Sequence, residues 1–343
     1  MSELRLNIIT REWVIIAPER AARPQSPTRP RSSVPPPAHD TECPFCPGNE
    51  AMSAEELDRA YLPGHPGWQS RVVWNMYPVL KPEPTGAKPH HQGLKHAVEG
   101  FGRHEVVIET PRHDLPLALF APEEVECLMR VYRARYRALH ADPRVAHITL
   151  FKNYGHAAGT SLLHPHSQVV GTPVVSYQVR ERIRTMEDHF ALYGECVLCR
   201  MIAEELDQQD RIIHVSPSFV AMVPYAALSS YHVWVFPRRH MAWFGGISDD
   251  EVCGLAETLQ AVMKKLYYGL GNPAFNFLVR SAPRACTDEE YHWYLSIVPR
   301  VGEAAGFELG SGIYVNPCRP EDSAEFLRSV RIPSEHKSLP PPA

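Results

Sequence analysis

The sequence predicts an α+β fold made of two copies of one plan, each a mainly antiparallel sheet with a packed helix. Three observations predict it. Two amphipathic helical stretches are each flanked by β-like runs, matching segments recur at an offset of 127 to 128 positions, and each copy begins with a C-x-x-C pair. Along the chain the first strand is Glu105 to Glu109 (EVVIE), followed by a helix from Pro122 to Leu139 that opens with Pro and two acids. A second β-like run follows at Val145 to Phe151. The same order then returns: His232 to Phe236, a helix introduced by the capping box Ser248-Asp249-Asp250-Glu251 and closed by Gly269 and Gly271, and Ala274 to Val279. EVVIETPRH ending at His113 matches HVWVFPRRH ending at His240, Leu150 matches Leu278, and His164 matches His292. Residues 1–180 and 181–330 are therefore expected as two repeats, with 331–343 as a flexible tail.

At 343 residues the chain is long enough for such a duplication, and its composition narrows the function classes. A formal net charge of −4 builds in no general attraction to nucleic acid or to an anionic membrane. No apolar run is long enough to span a bilayer, and the first residues, MSELRLNIITREW, contain no signal-like apolar stretch. A cytoplasmic protein is the expectation. Prolines gather in Arg23 to Pro37 and in Pro340 to Pro342, which read as extended loop and frayed end.

The 8 Cys and 18 His are more informative. Cys43/Cys46 and Cys196/Cys199 are 153 positions apart, so the first repeat holds about 25 extra residues, which Tyr77 to Phe101 would accommodate. Two thiolates on a short turn with two imidazoles form an S₂N₂ donor set suited to tetrahedral zinc. The candidate sets are Cys43, Cys46, His113 and His164, then Cys196, Cys199, His240 and His292, giving two zinc sites per chain. A redox role for Cys43/Cys46 would want a strand before and a helix after, whereas that pair is embedded in loop residues. Cys127, Cys253, Cys286 and Cys318 are expected as small buried hydrophobes, and His39, His65, His90, His91 and His96 as surface residues.

Asn153 to Gln168 (NYGHAAGTSLLHPHSQ) carries the chemistry. Its small residues, including Gly159, Thr160 and Ser161, read either as an anion cradle of backbone N–H groups or as an ordinary turn. In extended His164-Pro165-His166 both imidazoles point to one side, so a metal-bound His164 would stand beside His166. A neutral imidazole is a good nucleophile at phosphorus and a good leaving group, which suits a two-step nucleotidyl transfer; the competing reading makes both histidines structural ligands. Gln168 can hydrogen-bond a phosphate oxygen.

This order resembles the galactose-1-phosphate uridylyltransferase branch of the histidine-triad superfamily, whose pattern is H-P-H-[GS]-Q. The other markers are IAPERAARP after Glu12-Trp13-Val14, CPFCPGNE at 43–50, RVVWNMYP at 71–78, GRHEVVIETP at 102–111 and GFELG at 306–310. The resemblance covers nearly the whole chain and implies a HIT-like duplicated fold. It also implies that His166 accepts the nucleoside monophosphate while His164 joins Cys43, Cys46 and His113 on zinc. Arg20, Arg23, Asn153, Ser161 and Gln168 fall where the family contacts phosphates, Phe45, Asn75 and Tyr77 where it holds the nucleoside, and Glu308 where it reads the hexose. The substrates implied are a nucleotide sugar and a sugar 1-phosphate, with UMP exchanged between UDP-glucose and galactose 1-phosphate. A homodimer is implied too, in which Arg20 or Glu308 serves the neighbouring subunit.

Three positions depart from the pattern. Tyr294 stands where many members have a second histidine, Tyr314 where a Gln faces the hexose, and Met76 where Lys or Asp is common. They point to a second repeat without a nucleophile. They also open the alternative of a nucleotide-sugar phosphorylase resembling ADP-glucose phosphorylase. A non-catalytic, zinc-stapled nucleotide-binding module is the remaining class.

Overall fold

The computed structural model describes residues 1–22, 36–83, 90–286, 288–302, 305–334 and 338–342. Its first half runs β1 (Glu3–Leu6), β2 (Trp13–Ile16), β3 (Glu56–Ala60), β4 (Ser70–Trp74), β5 (His90–Gln92), β6 (Lys95–Ala97), β7 (Arg103–Ile108), α1 (Pro122–His140), β8 (His147–Tyr154) and β9 (His166–Thr172). The second half runs α2 (Tyr177–Tyr193), α3 (Val197–Gln208), β10 (Ile212–Val215), β11 (Phe219–Met222), β12 (Val233–Pro237), α4 (Asp249–Gly269), β13 (Phe275–Arg280), β14 (Tyr294–Pro299), α5 (Gly306–Ser311), β15 (Tyr314–Asn316) and α6 (Pro320–Ser329).

Ten strands form one sheet in the order β10-β11-β12-β14-β13-β8-β9-β7-β4-β3. Its strand pairs are antiparallel, and the order read from either end follows one plan. The halves join where β8 pairs with β13, with Asn153 opposite Asn276 and Leu150 opposite Val279. An α+β fold is thus present, and the expected helices and strands fall within three residues of their sequence boundaries.

Each helix forms for a local reason. α4 has Ser248 Oγ accepting from Glu251 N while the Glu251 side chain accepts from Ser248 N, and α1 starts on Pro122 with Glu123 and Glu124 in its first turn. Both lay an apolar stripe on the same face of the sheet: Leu128, Tyr132 and Tyr136 from α1 and Leu255, Leu259 and Leu266 from α4 are fully buried in one core with Leu150, Val169 and Phe277. That leaves the opposite face, with His166 and Gln168, for the site. α2 and α3 have no counterpart in the sequence expectation; α2 is capped by Ser176 and ends on Gly194 at φ 69°.

The span 77–101 expected to hold the extra residues lies between β4 and β7 and carries the β5–β6 hairpin. Among the lone cysteines, Cys127 is buried as expected, but Cys253 is exposed and Cys286 and Cys318 are half-buried. Cys253 lies on α4 beside the Arg130 guanidinium, on the side away from the sheet core. His39, His65, His91 and His96 are exposed. The tail is anchored: Asn272 Nδ2 donates to Pro340 O at 2.8 Å and Leu339 N donates to the Tyr267 hydroxyl.

β1, β2 and β15 form a separate three-stranded sheet in which β15 runs parallel to β2. Glu321 on α6 docks it: the carboxylate accepts from Arg5 Nη1 at 2.8 Å and from Arg211 Nη1 at 2.8 Å. Burial alone would push this carboxyl up, but hydrogen bonds from Arg5, from the helix backbone and from Arg211 outweigh it and hold it at about 2. A depressed folded-state value contributes stability that is complete above the unfolded value near 4.5 and is lost as pH falls through about 2. Acid titration followed by circular dichroism should therefore show destabilisation between these limits, and Glu321→Gln should be less stable at pH 7 with a shallower loss on acidification.

Candidate active site and metal centres

The first Cys/His set converges from distant segments. Cys43 and Cys46 lie on a loop turn in which Cys46 N bonds to Cys43 O; His113 follows β7, and His164 precedes β9. Cys43 Sγ is 3.7 Å from His164 Nδ1, and Cys46 Sγ is 3.6 Å from Nδ1 of both His113 and His164. In the second set Cys199 Sγ is 3.2 Å from His240 Nδ1 and 3.4 Å from His292 Nδ1. Within each set the donor atoms all lie within 4.8 Å of one another.

These dimensions fit a metal. Zn–S and Zn–N bonds of about 2.3 and 2.05 Å at a tetrahedral angle place sulfur and nitrogen about 3.6 Å apart. The ring nitrogens facing away are held as in metal-bound imidazoles: His164 Nε2 lies 2.8 Å from Thr110 O, His292 Nε2 2.9 Å from Pro237 O, and His240 Nε2 2.5 Å from Asp288 O. With four protein donors there is no open position, so a metal here would act as a staple. Cys196 and Cys199 sit at the start of α3, in contrast to the loop that carries Cys43 and Cys46.

His166 opens β9, opposite Ile108 of β7. Its Nδ1 is 2.8 Å from the His164 carbonyl, which makes Nδ1 the donor and leaves the Nε2 lone pair without a protein hydrogen bond among the described residues. The Phe45 ring packs against both histidines, with centroids 5.4 Å from His166 and 6.0 Å from His164. Burial pushes the His166 imidazole below its ordinary value; the bond to the His164 carbonyl opposes that, and the Lys152 charge adds to it. The site therefore presents a neutral imidazole, directed by its backbone bond and walled by an aromatic ring.

Below it lies a buried network that sequence reading missed. Lys152 Nζ donates to Glu109 Oε2 at 2.6 Å and to the His166 carbonyl at 3.3 Å. The Tyr132 hydroxyl donates to Glu109 Oε1 at 2.8 Å and lies 2.7 Å from Ser167 Oγ. Lys152 and Glu109 are essentially unexposed, so the pair fixes the β7, β8 and β9 backbones under His166 in a low-dielectric setting.

Gln168 also has a support that sequence reading passed over. His104 Nδ1 accepts from Val79 N at 3.1 Å, so its Nε2 carries the proton and donates to Gln168 Oε1 at 2.7 Å, leaving the Gln168 amide N–H groups free of that bond. Asn75 stands 3.1 Å from the same His104 Nε2. Asn153 Oδ1 accepts from Asn276 Nδ2 at 2.7 Å; Asn276 also bonds the Ala158 carbonyl and is held by Arg300. The second half thus braces the first half's loop across 123 residues of sequence. In the loop itself Gly159 N bonds to His156 O and Thr160 Oγ1 to Leu162 O, while Ser161 is exposed.

Not every candidate reaches this cleft. Tyr77 is 84 % exposed, and Arg20 and Glu308 lie by the three-stranded sheet rather than along the cleft; Arg23 lies outside the described residues. Pro341 and Pro342 of the tail line the cleft with His166 and Asn153. Gly155, at φ 82°, has no room for a side chain there, since a Cβ would stand 2.7 Å from Pro342 Cγ. With the tail seated the free volume is ≈ 30 Å³, well below the roughly 300–1,000 Å³ of ligand pockets.

A family model described as galactose-1-phosphate uridyl transferase, N-terminal domain, matches residues 1–176. The chain belongs to the galactose-1-phosphate uridylyltransferase family. A second model, a domain of unknown function (DUF4921), matches residues 118–331. Among curated relatives of this uridylyltransferase-family chain, ADP-glucose phosphorylase of Arabidopsis thaliana is 34% identical over 335 residues, covering 96% of this chain and 93% of the relative. Galactose-1-phosphate uridylyltransferase of Thermotoga maritima is 27% identical over 97% of this chain and 99% of the relative. The crystal structure of an Arabidopsis thaliana ADP-glucose phosphorylase with bound ADP-glucose superposes with a TM-score of 0.83 at 32% identity, covering 97% of this chain and 100% of that one. A uridylyltransferase structure reaches 0.74 at 26%, covering 96% and 98%.

Lys152 and Glu109 must compensate each other's charge, so removing one partner alone should be costly. Lys152→Met should lower unfolding free energy by about 3–5 kcal/mol, and adding Glu109→Gln should recover most of the loss in urea titrations.

Proposed function

We propose that this chain is a nucleotidyltransferase in which His166 Nε2 attacks the phosphorus joining nucleoside and sugar phosphate in a nucleotide sugar. The phosphoanhydride P–O bond breaks, a P–N bond forms, and the hexose 1-phosphate leaves with the electron pair. An acceptor phosphate then attacks the same phosphorus, breaks the P–N bond and restores the imidazole. The observation that carries this reading is the single orientation of His166: Nδ1 is spent on the His164 carbonyl and Nε2 faces the cleft. Gln168, oriented by His104, would donate to the phosphate, and Phe45 would wall the nucleoside side. Zinc on Cys43, Cys46, His113 and His164 would supply rigidity to the backbone that aims His166, and the second set would do the same for the other repeat.

For the substrate, ADP-glucose with inorganic phosphate as acceptor is the first reading. The 34% identity to ADP-glucose phosphorylase and the departures Met76, Tyr314 and Tyr294 support it. Exchange of UMP between UDP-glucose and galactose 1-phosphate is the second, supported by the family model and by near-complete coverage of the Thermotoga maritima enzyme. A cytoplasmic homodimer fits both readings. Arg20, exposed, and Glu308, half-buried, lie beside the small sheet away from their own cleft and would then complete the partner's site. A module that binds without turnover is disfavoured by the unengaged nucleophile.

Incubation with ADP-glucose or UDP-glucose, each with phosphate or galactose 1-phosphate, should give ADP and glucose 1-phosphate from the first pair only; UDP-galactose formation would select the second reading. His166→Ala should keep its metal and fold yet lose at least ~10³-fold in kcat together with the acid-labile nucleotidyl adduct, and normal turnover would reject the mechanism. Cys43→Ser should lose one of two zinc equivalents and melt at lower temperature, as measured by elemental analysis and calorimetry.

A further inference from the structure

The second repeat carries no nucleophile, but it keeps a cavity at the matching place. His292-Trp293-Tyr294 corresponds to His164-Pro165-His166, and Arg280 pairs with Tyr294 across β13–β14. In the first half Phe151 pairs with Gln168, as Leu278 pairs with Ser296 in the second, so the register corrects the Leu150–Leu278 match by one residue; Asn153 faces His166 and Arg280 is its counterpart. Tyr294 itself is packed away, its ring 5.0 and 5.1 Å from those of Trp234 and Phe236. Beside it is a cavity of ≈ 200 Å³ lined by Arg280, Arg182, His147, Thr149, Thr172 and Tyr291 among others.

Among the described residues no carboxylate lines that cavity. Arg182, on α2, is only 9% exposed, and its Nε and Nη1 are buried without a hydrogen-bond partner among the described residues. Among the described residues neither Arg182 nor Arg280 forms an ion pair, although other guanidiniums in the interior, such as Arg5, Arg135 and Arg211, are paired with carboxylates. Burial pushes Arg280 below its ordinary value and the Arg182 charge adds to that, with Tyr294, Tyr291 and Glu12 opposing. Burial brings His147 down to about 4, so it adds no charge of its own. The N-terminal turn of α2, with Ser176, Gln178 and Val179, closes one wall and points its positive dipole end at the same space. Two guanidiniums without an ion pair among the described residues, Arg182 buried and Arg280 half-buried, and a helix N-terminus around one cavity form a site short of a polyvalent anion.

We propose that this cavity, where the second repeat meets the first, is a phosphate-binding site held by Arg182 and Arg280, distinct from the cleft of His166. Its ligand is a phosphate dianion, either free or as a phosphomonoester. The site goes beyond the proposed reaction and requires nothing of His166.

The test is equilibrium dialysis of the full chain with radiolabelled inorganic phosphate and, separately, glucose 1-phosphate. Binding of at least one of the two should persist in His166→Ala and weaken by about tenfold or more in Arg280→Gln and in Arg182→Gln. Saturation by inorganic phosphate alone assigns the free anion; saturation by glucose 1-phosphate assigns the ester. Without ligand, both arginine variants should melt at the same or a higher temperature than the parent, because a buried like-charge contact is relieved. Absence of binding in His166→Ala, full binding in Arg280→Gln, or a clear loss of ligand-free stability in both variants would overturn the proposal, the last by showing that protein groups already satisfy these guanidiniums.

Discussion

Antiparallel pairing of β8 with β13 makes one sheet of two half-sheets, and the working site depends on that seam. It brings Asn276 opposite Asn153, and from there Asn276 reaches the Ala158 carbonyl while Arg300 holds it from behind. The two bonds that Asn276 donates cross between the repeats. Severing the seam would expose two edge strands and remove the brace from the loop beside His166, so neither half could keep this geometry alone.

At the next level, two adjacent histidines divide their labour. His164 turns Nδ1 toward the thiols and Nε2 toward Thr110 O, so both ring nitrogens are committed. His166 commits only Nδ1, and to the backbone of His164 itself. Anything that holds His164 rigid therefore also aims His166. The buried Lys152–Glu109–Tyr132 network does the same from below, where low dielectric strengthens charge-assisted hydrogen bonds and makes an unpaired member costly.

The two repeats share a frame and differ in what fills it. Both keep a Cys₂His₂ set and a histidine, on β7 or just before β12, that contacts a polar side chain of a neighbouring strand, His104 to Gln168 and His232 to Ser296. In the second half Tyr294 joins an aromatic cluster where His166 faces a cleft, and Arg280 stands where Asn153 does. The frame survives because the sheet and the Cys/His set need it, while the side chains above it are free to diverge.

The sequence by itself determined the duplication, the main helices and strands, the two Cys₂His₂ sets and the special place of His166. These are carried by local periodicity and by residue types whose spacing repeats, and neither depends on knowing the fold. Helices α2 and α3 went unread because neither is flanked by the strand pattern that repeats along the chain, and the three-stranded sheet because strands of three or four residues have weak periodicity. His104, Lys152, Glu109 as an ion-pair partner, and Asn276 were decided by tertiary structure alone. Each acts through a partner 29 to 123 positions away, and a hydrogen bond over such a separation leaves no periodic trace in the chain. The same holds for Arg182 and Arg280: only folding shows that two ordinary arginines, 98 positions apart, share one cavity with no acid between them.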